Sequence, residues 1–389
     1  MFLSLHNSPR AYSWGADGAI SRLLGREAQG GPEAEYWLGA HPASPALVSS
    51  ETGQRALNDW IAENQARALG GRDRLPYLLK VLAAGAPLSL QVHPSRAQAI
   101  EGCAREDALG IPRDASHRNY RDDNHKPELI LALEDGFVAL CGIRPESERQ
   151  AIARELDLVD VLGDASVSQV FARLLAGRGT PAVHELVNRA VAAANRRVAS
   201  PFAEAYRWMG ELAERYPGDP GALLSLLLNL VTLRAGEALY LPAGNLHAYL
   251  SGIGVELMAD SDNVLRGGLT EKHIDIDELL AVTVWDALPV PRIEPVERTG
   301  GKVFAGDVPD FELVWVESAA RVELNGPAIV LNLGSAAEVR GATGAVELAR
   351  GSAVFVTPDE GALDVVGERV FVALPGRRTG SSSDELHVE

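Results

Sequence analysis

The spacing of hydrophobic and polar positions changes character along the chain. Up to about residue 145, short β-type runs such as Pro87-Leu88-Ser89-Leu90-Gln91-Val92-His93 and Glu128-Leu129-Ile130-Leu131-Ala132-Leu133 lie between glycine and proline turns. Brief helical stretches are expected at 56–64 and 95–106, the second with Ser95 as its N-cap. From 145 to about 232 the period lengthens. Segments 146–156, 166–176, 181–197, 201–215 and 220–232 repeat apolar residues at helical spacing, and Pro145 stands where the first helix starts. Strand patterning returns at 237–242 and 255–258, a helix is expected at 275–284, and Pro289, Pro291 and Pro295 mark a linker. Residues 296–376 are nearly all short strands and glycine turns, and the polar, serine-rich stretch 377–389 predicts a disordered tail.

One pattern occurs twice. Leu233-Arg234-Ala235-Gly236-Glu237-Ala238-Leu239-Tyr240-Leu241-Pro242 is similar to Leu348-Ala349-Arg350-Gly351-Ser352-Ala353-Val354-Phe355-Val356-Thr357-Pro358: Gly, one residue, Ala, a β run, then Pro. In a cupin, a double-sheet jelly roll, such a turn feeds a strand at the barrel mouth. Ala243-Gly244-Asn245-Leu246-His247 follows the first copy; Asp359-Glu360-Gly361-Ala362, without histidine, follows the second. The expected fold is therefore mainly β, with two cupin-like jelly-roll β-barrels and a helical domain. The first barrel alone keeps a metal ligand. The expected divisions are a discontinuous catalytic domain at 1–144 and 233–290, a helical insertion at 145–232, and a C-terminal cupin-like β domain at 291–376.

Composition narrows the partners. Thirty-six Lys and Arg against 53 Asp and Glu leave a net charge of −17. Such a chain repels nucleic acid and anionic membrane, so a phosphate site must be built from a few placed cations. The two cysteines, Cys103 and Cys141, exclude a disulfide framework and a cysteine zinc site, and point to buried thiols in a reducing cytoplasm. No apolar run reaches about 18 residues, and the first residues lack the basic and apolar regions of a signal peptide. The expectation is a cytoplasmic monomer with a small-molecule partner.

The candidate chemistry lies in four places. In Gln91-Val92-His93-Pro94, strand alternation puts Gln91 and His93 on one face, as half of a metal site or as a hydrogen-bonded polar pair. In Asn124-His125-Lys126-Pro127-Glu128, Pro127 keeps Lys126 extended, so Lys126 and Glu128 share a face. They form a salt bridge, or they stand beside a metal and an oxyanion; His125 reads as structural. His247, after a β run and a Pro-Gly turn, matches a cupin metal position; the alternative is a structural histidine. Gln91, His93, Glu128 and His247 then make a candidate ligand set for zinc, with manganese or iron also compatible with these ligand types. Lastly, Glu256 sits in an apolar strand, where burial would raise its pKa and suit it to proton transfer; the alternative is an exposed strand carboxylate. Arg266 and Lys272 flank Gly267-Gly268 and either hold a phosphate or are solvated surface cations.

Together these blocks resemble the type I mannose-6-phosphate isomerases. The resemblance rests on the segments 87–94, 124–128, Pro242-Ala243-Gly244-Asn245-Leu246-His247-Ala248-Tyr249, and 262–270 with Lys272, and on Glu35-Tyr36-Trp37-Leu38-Gly39-Ala40-His41-Pro42 near the start. These run in family order through about residue 290; the last 90 or so residues match only in type. The resemblance implies a zinc ion on Gln91, His93, Glu128 and His247. It also implies Arg266 as the catalytic candidate, and Ser89, Lys126, Tyr249, Glu256 and Lys272 around the substrate. One departure is Gly267-Gly268, where many members have Ala-Gly. The implied reaction interconverts mannose 6-phosphate and fructose 6-phosphate through a cis-enediol(ate), serving mannose and GDP-mannose metabolism. An iron-dependent cupin oxygenase or a non-catalytic cupin module would need the barrel, but not Arg266 and Lys272 beside a glycine turn.

Overall fold

The computed structural model describes residues 1–50, 53–163 and 165–376; the tail expected at 377–389 lies outside them. Antiparallel sheets of nine, ten and four strands dominate, with a two-stranded ribbon beside them. Strand alternation decides how they stack. On the nine-stranded sheet, Leu313, Ile329, Leu331, Phe355 and Phe371 meet Leu79, Val81, Leu129, Leu131, Val255 and Leu257 of the ten-stranded sheet. The alternate residues Val314, Val330, Val354 and Val372 point the other way and pack on Val339, Leu348, Leu363 and Val365 of the four-stranded sheet. The strand Phe2–His6 lies within the nine-stranded sheet, between Ala353–Val356 and Leu47–Ser50, so segments far apart in sequence share one sheet. The fold is thus mainly β with helices. The two expected jelly-roll barrels are not resolved as separate units: among the described residues no sheet closes on itself by strand pairing.

The strand His247–Ala259 organises the ten-stranded sheet. Its first part pairs with Phe137–Ile143 and its second with Tyr77–Ala84 and Glu128–Ala132. Gly252 marks the change of partner. Its φ is 116°, and a Cβ there would lie 2.7 Å from Phe137 Cα, so only glycine fits. Along the second part, Val255 and Leu257 enter the inter-sheet core, while Glu256 faces the opposite way, beside Lys80 and Ile130 in register. The same alternation separates Leu129 and Leu131 from Glu128, and Leu79 and Val81 from Lys80. Three charged side chains thereby share the sheet face that turns away from the inter-sheet core.

Helices form at Glu146–Glu155, Val167–Ala176, Pro181–Ala194 and Ala203–Arg215, close to the expected spans. Ser166 closes a capping box with Gln169, and Thr180 caps a helix that begins on Pro181. Their apolar faces, including Phe171, Val187 and Met209, join Leu90, Val92, Leu140 and Leu265 in one core behind the cleft. The helix expected at 220–232 is corrected. Only Gly221–Leu224 is α-helical; a 3-10 turn at Ser225–Leu227 leads into the strand Leu228–Leu233, which pairs with Phe137–Ile143. The run Leu223-Leu224-Ser225-Leu226-Leu227-Leu228 is too uniformly apolar to show a period, and the open sheet edge recruited it. The β run expected at 87–93 shrinks to Gln91–Val92, because Leu88 N–H donates to Tyr249 and Leu90 N–H to Gly268, two different partners. Within the expected linker, Arg292–Ile293 adds an edge strand to Ala238–Leu241.

Candidate metal centre and substrate cleft

Four chain segments meet at one point. His247 opens the long strand and lies opposite Gln91 in register, and Arg266 lies opposite Gln91 on its other side. Glu128 begins its strand, directly after Pro127. His93, 1% exposed, follows the short strand that carries Gln91. The ligand-type atoms of His93, Glu128 and His247 all lie within 4.8 Å of one another. His93 Nε2 is 3.2 Å from Glu128 Oε1, and His247 Nε2 is 3.4 Å from Glu128 Oε2.

The hydrogen bonds behind these groups test whether a cation fits. His93 Nδ1 is 2.7 Å from the Asn263 carbonyl, and His247 Nδ1 is 2.9 Å from the Asn245 carbonyl. A carbonyl only accepts, so each Nδ1 carries a proton, which leaves Nε2 as the atom that can offer a lone pair to a cation. Burial, with Lys126 nearby, lowers the His93 pKa to about 4, so its ring is neutral near pH 7. The buried His93 Nε2 then has no hydrogen-bond partner and faces a carboxylate oxygen. Burial alone would raise Glu128, but the neighbouring Lys126 ammonium, the largest opposing influence, holds it well below the ordinary carboxylate range. Two imidazole lone pairs converging on an ionised carboxylate, with backbone carbonyls fixing the tautomers, make a donor set suited to zinc. Gln91 borders the same cleft and can add its amide oxygen.

The centre forms the floor of a cleft of 910 Å³ that also reaches Ser89, Lys126, Tyr249, Glu256, Arg266 and Lys272. Every candidate ligand, catalytic and substrate residue named from the sequence borders it except His93, which is buried beside Glu128, while His125 pairs with Asp310 at 2.8 Å. Lys126 Nζ is 2.5 Å from Glu128 Oε1, and Tyr249 Oη donates to Glu128 Oε2 at 3.4 Å. Burial and then Glu128 push the Tyr249 phenol well above its usual pKa, so it remains a donor. Burial and then neighbouring cations lower Arg266 and Lys272; Arg121, which also lines the cleft, acts on both.

Sequence reasoning missed Lys80, Glu35 and Arg121. Lys80 Nζ lies 3.0 Å from Glu256 Oε2 and 3.1 Å from Glu35 Oε1, with the Trp37 ring 4.9 Å away. Burial opposes its charge, yet Glu256 and Glu35 raise its pKa. A signal existed: Lys80 is the one charged residue in the buried strand Tyr77–Ala84. Arg121 carries no such mark.

Comparison with known proteins places this cleft. Residues 2–146 match the family described as phosphomannose isomerase type I, catalytic domain. The mannose-6-phosphate isomerase of Salmonella typhimurium is 36% identical over 383 residues, spanning 93% of this chain and 96% of that protein. The chain belongs to the type I mannose-6-phosphate isomerase family. Family members elsewhere include those of Escherichia coli, 40% identical over 79% of this chain and 81% of theirs, and of Homo sapiens, 33% identical over 79% of each. A crystal structure of the Salmonella typhimurium enzyme bound to substrate (f6p) and zinc matches with a TM-score of 0.87 at 34% identity, covering 97% of this chain and 100% of that one. The family likeness extends through the helical segment and the C-terminal sheets as well as the cleft.

Proposed function

We propose that this chain interconverts mannose 6-phosphate and fructose 6-phosphate, with one zinc ion held by Gln91, His93, Glu128 and His247. The observation that carries this reading is the meeting of His93, Glu128 and His247 at the floor of a cleft that also presents Lys126, Arg266 and Lys272. A zinc- and substrate-bound relative of the same fold supports the metal and the sugar phosphate.

Zinc, when bound, supplies Lewis acidity that draws charge toward the sugar oxygens. The protein must move a proton from C2 to C1 through a cis-enediol(ate). Glu256 is the shuttle: burial, beyond what Lys80 offsets, raises its pKa, so the carboxylate can take a carbon-bound proton and keep it for return. Lys80, bonded to Glu35 as well, fixes that carboxylate and balances its charge. Arg266 stabilises the enediolate. The contact of Lys126 with Glu128 favours a place at the reacting end of the sugar, leaving Lys272 and Ser89 to the phosphate and Tyr249 to orient Glu128.

The finer architecture is also our reading. The two turn glycines of the repeated pattern, Gly236 and Gly351, both have positive φ, 85° and 76°, and each leads into a strand of a large sheet. That supports two cupin-like units, with the helical segment inserted within the first. No helix of the described residues is long and apolar enough to cross a membrane, and Cys103 and Cys141 are buried free thiols. Both observations suit a cytoplasmic enzyme supplying mannose metabolism, and we take the monomer as the working unit.

The test is a coupled assay of mannose 6-phosphate turnover, after exhaustive chelation and after zinc is added back. Turnover should vanish and return. Undiminished turnover by the metal-free protein, or none by the folded, zinc-loaded protein, overturns the reading.

A further inference from the structure

We propose that Asp219, supplied by the helical segment and partnered by Arg178, is a positioning residue that holds the turn between Arg266 and Lys272 and so sets Lys272 for the substrate phosphate. This rests on the assignment of Lys272 to that phosphate made above. Asp219 is buried. Its Oδ1 accepts from Leu269 N–H at 3.0 Å and from Gly221 N–H at 2.7 Å, and its Oδ2 faces Arg178 Nε at 3.2 Å. A second nitrogen of Arg178 donates to the Thr270 carbonyl. One carboxylate and its ion-pair partner thus hold the two residues midway between the cations.

The held segment does not adopt an ordinary conformation. Leu269 is buried at φ 55°, a region that L-residues seldom occupy unless their surroundings fix them. A Cβ on Gly268, at φ 129°, would lie 2.9 Å from Gly221 Cα, and one on Gly221 would lie 2.7 Å from Leu269 N. The two backbones therefore touch. On the opposite side, Gly267 N–H donates to Leu90 at 2.9 Å and Leu90 N–H donates to Gly268 at 3.1 Å, one residue before Gln91. The turn is gripped between the strand that carries Gln91 and the carboxylate of Asp219.

The chemistry of this grip suits a phosphate site. Asp219 directs one oxygen at backbone N–H groups and the other at Arg178, so it fixes the turn without neutralising the cations on it. Among the described residues, neither Arg266 nor Lys272 forms an ion pair. Lys272 remains free for the phosphate dianion and Arg266 for the enediolate, in a chain whose net charge of −17 would otherwise repel an anion.

The test compares Asp219→Ala, Asp219→Asn, Arg178→Gln and Lys272→Ala for kcat, KM for mannose 6-phosphate, inhibition by inorganic phosphate, zinc content and Tm. Asp219→Ala should raise KM and the phosphate inhibition constant by about tenfold or more, with zinc content unchanged. Asp219→Asn keeps an acceptor for the two N–H groups but loses the ion pair, so it should fall between Asp219→Ala and the unmodified enzyme, as should Arg178→Gln. A merely structural role lowers Tm and the active fraction, and so kcat, while KM and the phosphate constant stay put; that result overturns the proposal. If Asp219→Ala does not fold, unchanged phosphate inhibition in the two milder variants overturns it equally. Weakened phosphate binding in Lys272→Ala alone refutes the positioning role only. No effect in Lys272→Ala refutes the phosphate assignment, and this inference with it.

Discussion

Replacing Glu256 by Gln separates proton transfer from metal binding. The side chain keeps its size and strand position, so the cleft retains its shape, but the amide cannot take a proton from carbon. A positioned general base contributes about 10²- to 10⁴-fold, or roughly 3–5 kcal/mol of barrier at 1.36 kcal/mol per decade. Turnover should fall by that factor. The same change removes one of two carboxylates on buried Lys80. Stranding a buried charge costs about 3–5 kcal/mol, but Glu35 remains 3.1 Å from Lys80 Nζ, so the loss of folding stability should be smaller, about 1–3 kcal/mol. The discriminating assay is exchange of the C2 proton of mannose 6-phosphate with solvent deuterium, followed by NMR alongside zinc analysis. Exchange should disappear while zinc stays bound, because the ligand-type cluster lies at His93, Glu128 and His247. A folded, zinc-replete variant that exchanges C2–H at the unmodified rate would remove Glu256 from the chemistry.

His247→Ala should lower zinc content and activity together, measured by metal analysis and coupled assay; full zinc occupancy would take His247 out of the ligand set. The metal-free protein should lose stability in acid. His93 is buried neutral with its pKa lowered to about 4 from 6.5, so the unfolded chain binds the extra proton first. Stability present above about pH 6.5 is lost as pH falls toward 4, by at most about 3 kcal/mol, and urea midpoints at pH 7 and pH 4.5 would show it. Gly268→Ala should destabilise by about 2 kcal/mol or more, since its Cβ would meet Gly221 Cα at 2.9 Å; an unchanged Tm would show that the turn can shift.

Local chemistry was legible in the sequence wherever one short segment carried it. Pro127 between Lys126 and Glu128, Ser95 before its helix, Pro181 after Thr180, and the Gly267-Gly268 turn each announce their conformation through backbone sterics or a cap. The helices at 146–215 were readable because their polar and apolar faces alternate at the helical period. The strand at Leu228–Leu233 was not, since a uniformly apolar run has no period and its partner, Phe137–Ile143, lies about 90 residues upstream. Tertiary structure alone decided which charges meet. Lys80, Glu35 and Glu256 are separated by up to 221 positions, yet antiparallel register sets Lys80 directly opposite Glu256 and beside Trp37. Asp219 reaches Leu269 across fifty residues without any strand pairing, because the start of the helix Gly221–Leu224 packs against the turn at Gly268. Composition and spacing determine what a segment can form; which of two compatible faces a buried charge takes, and which partner it finds there, depends on the register and stacking of strands that the chain brings together only on folding.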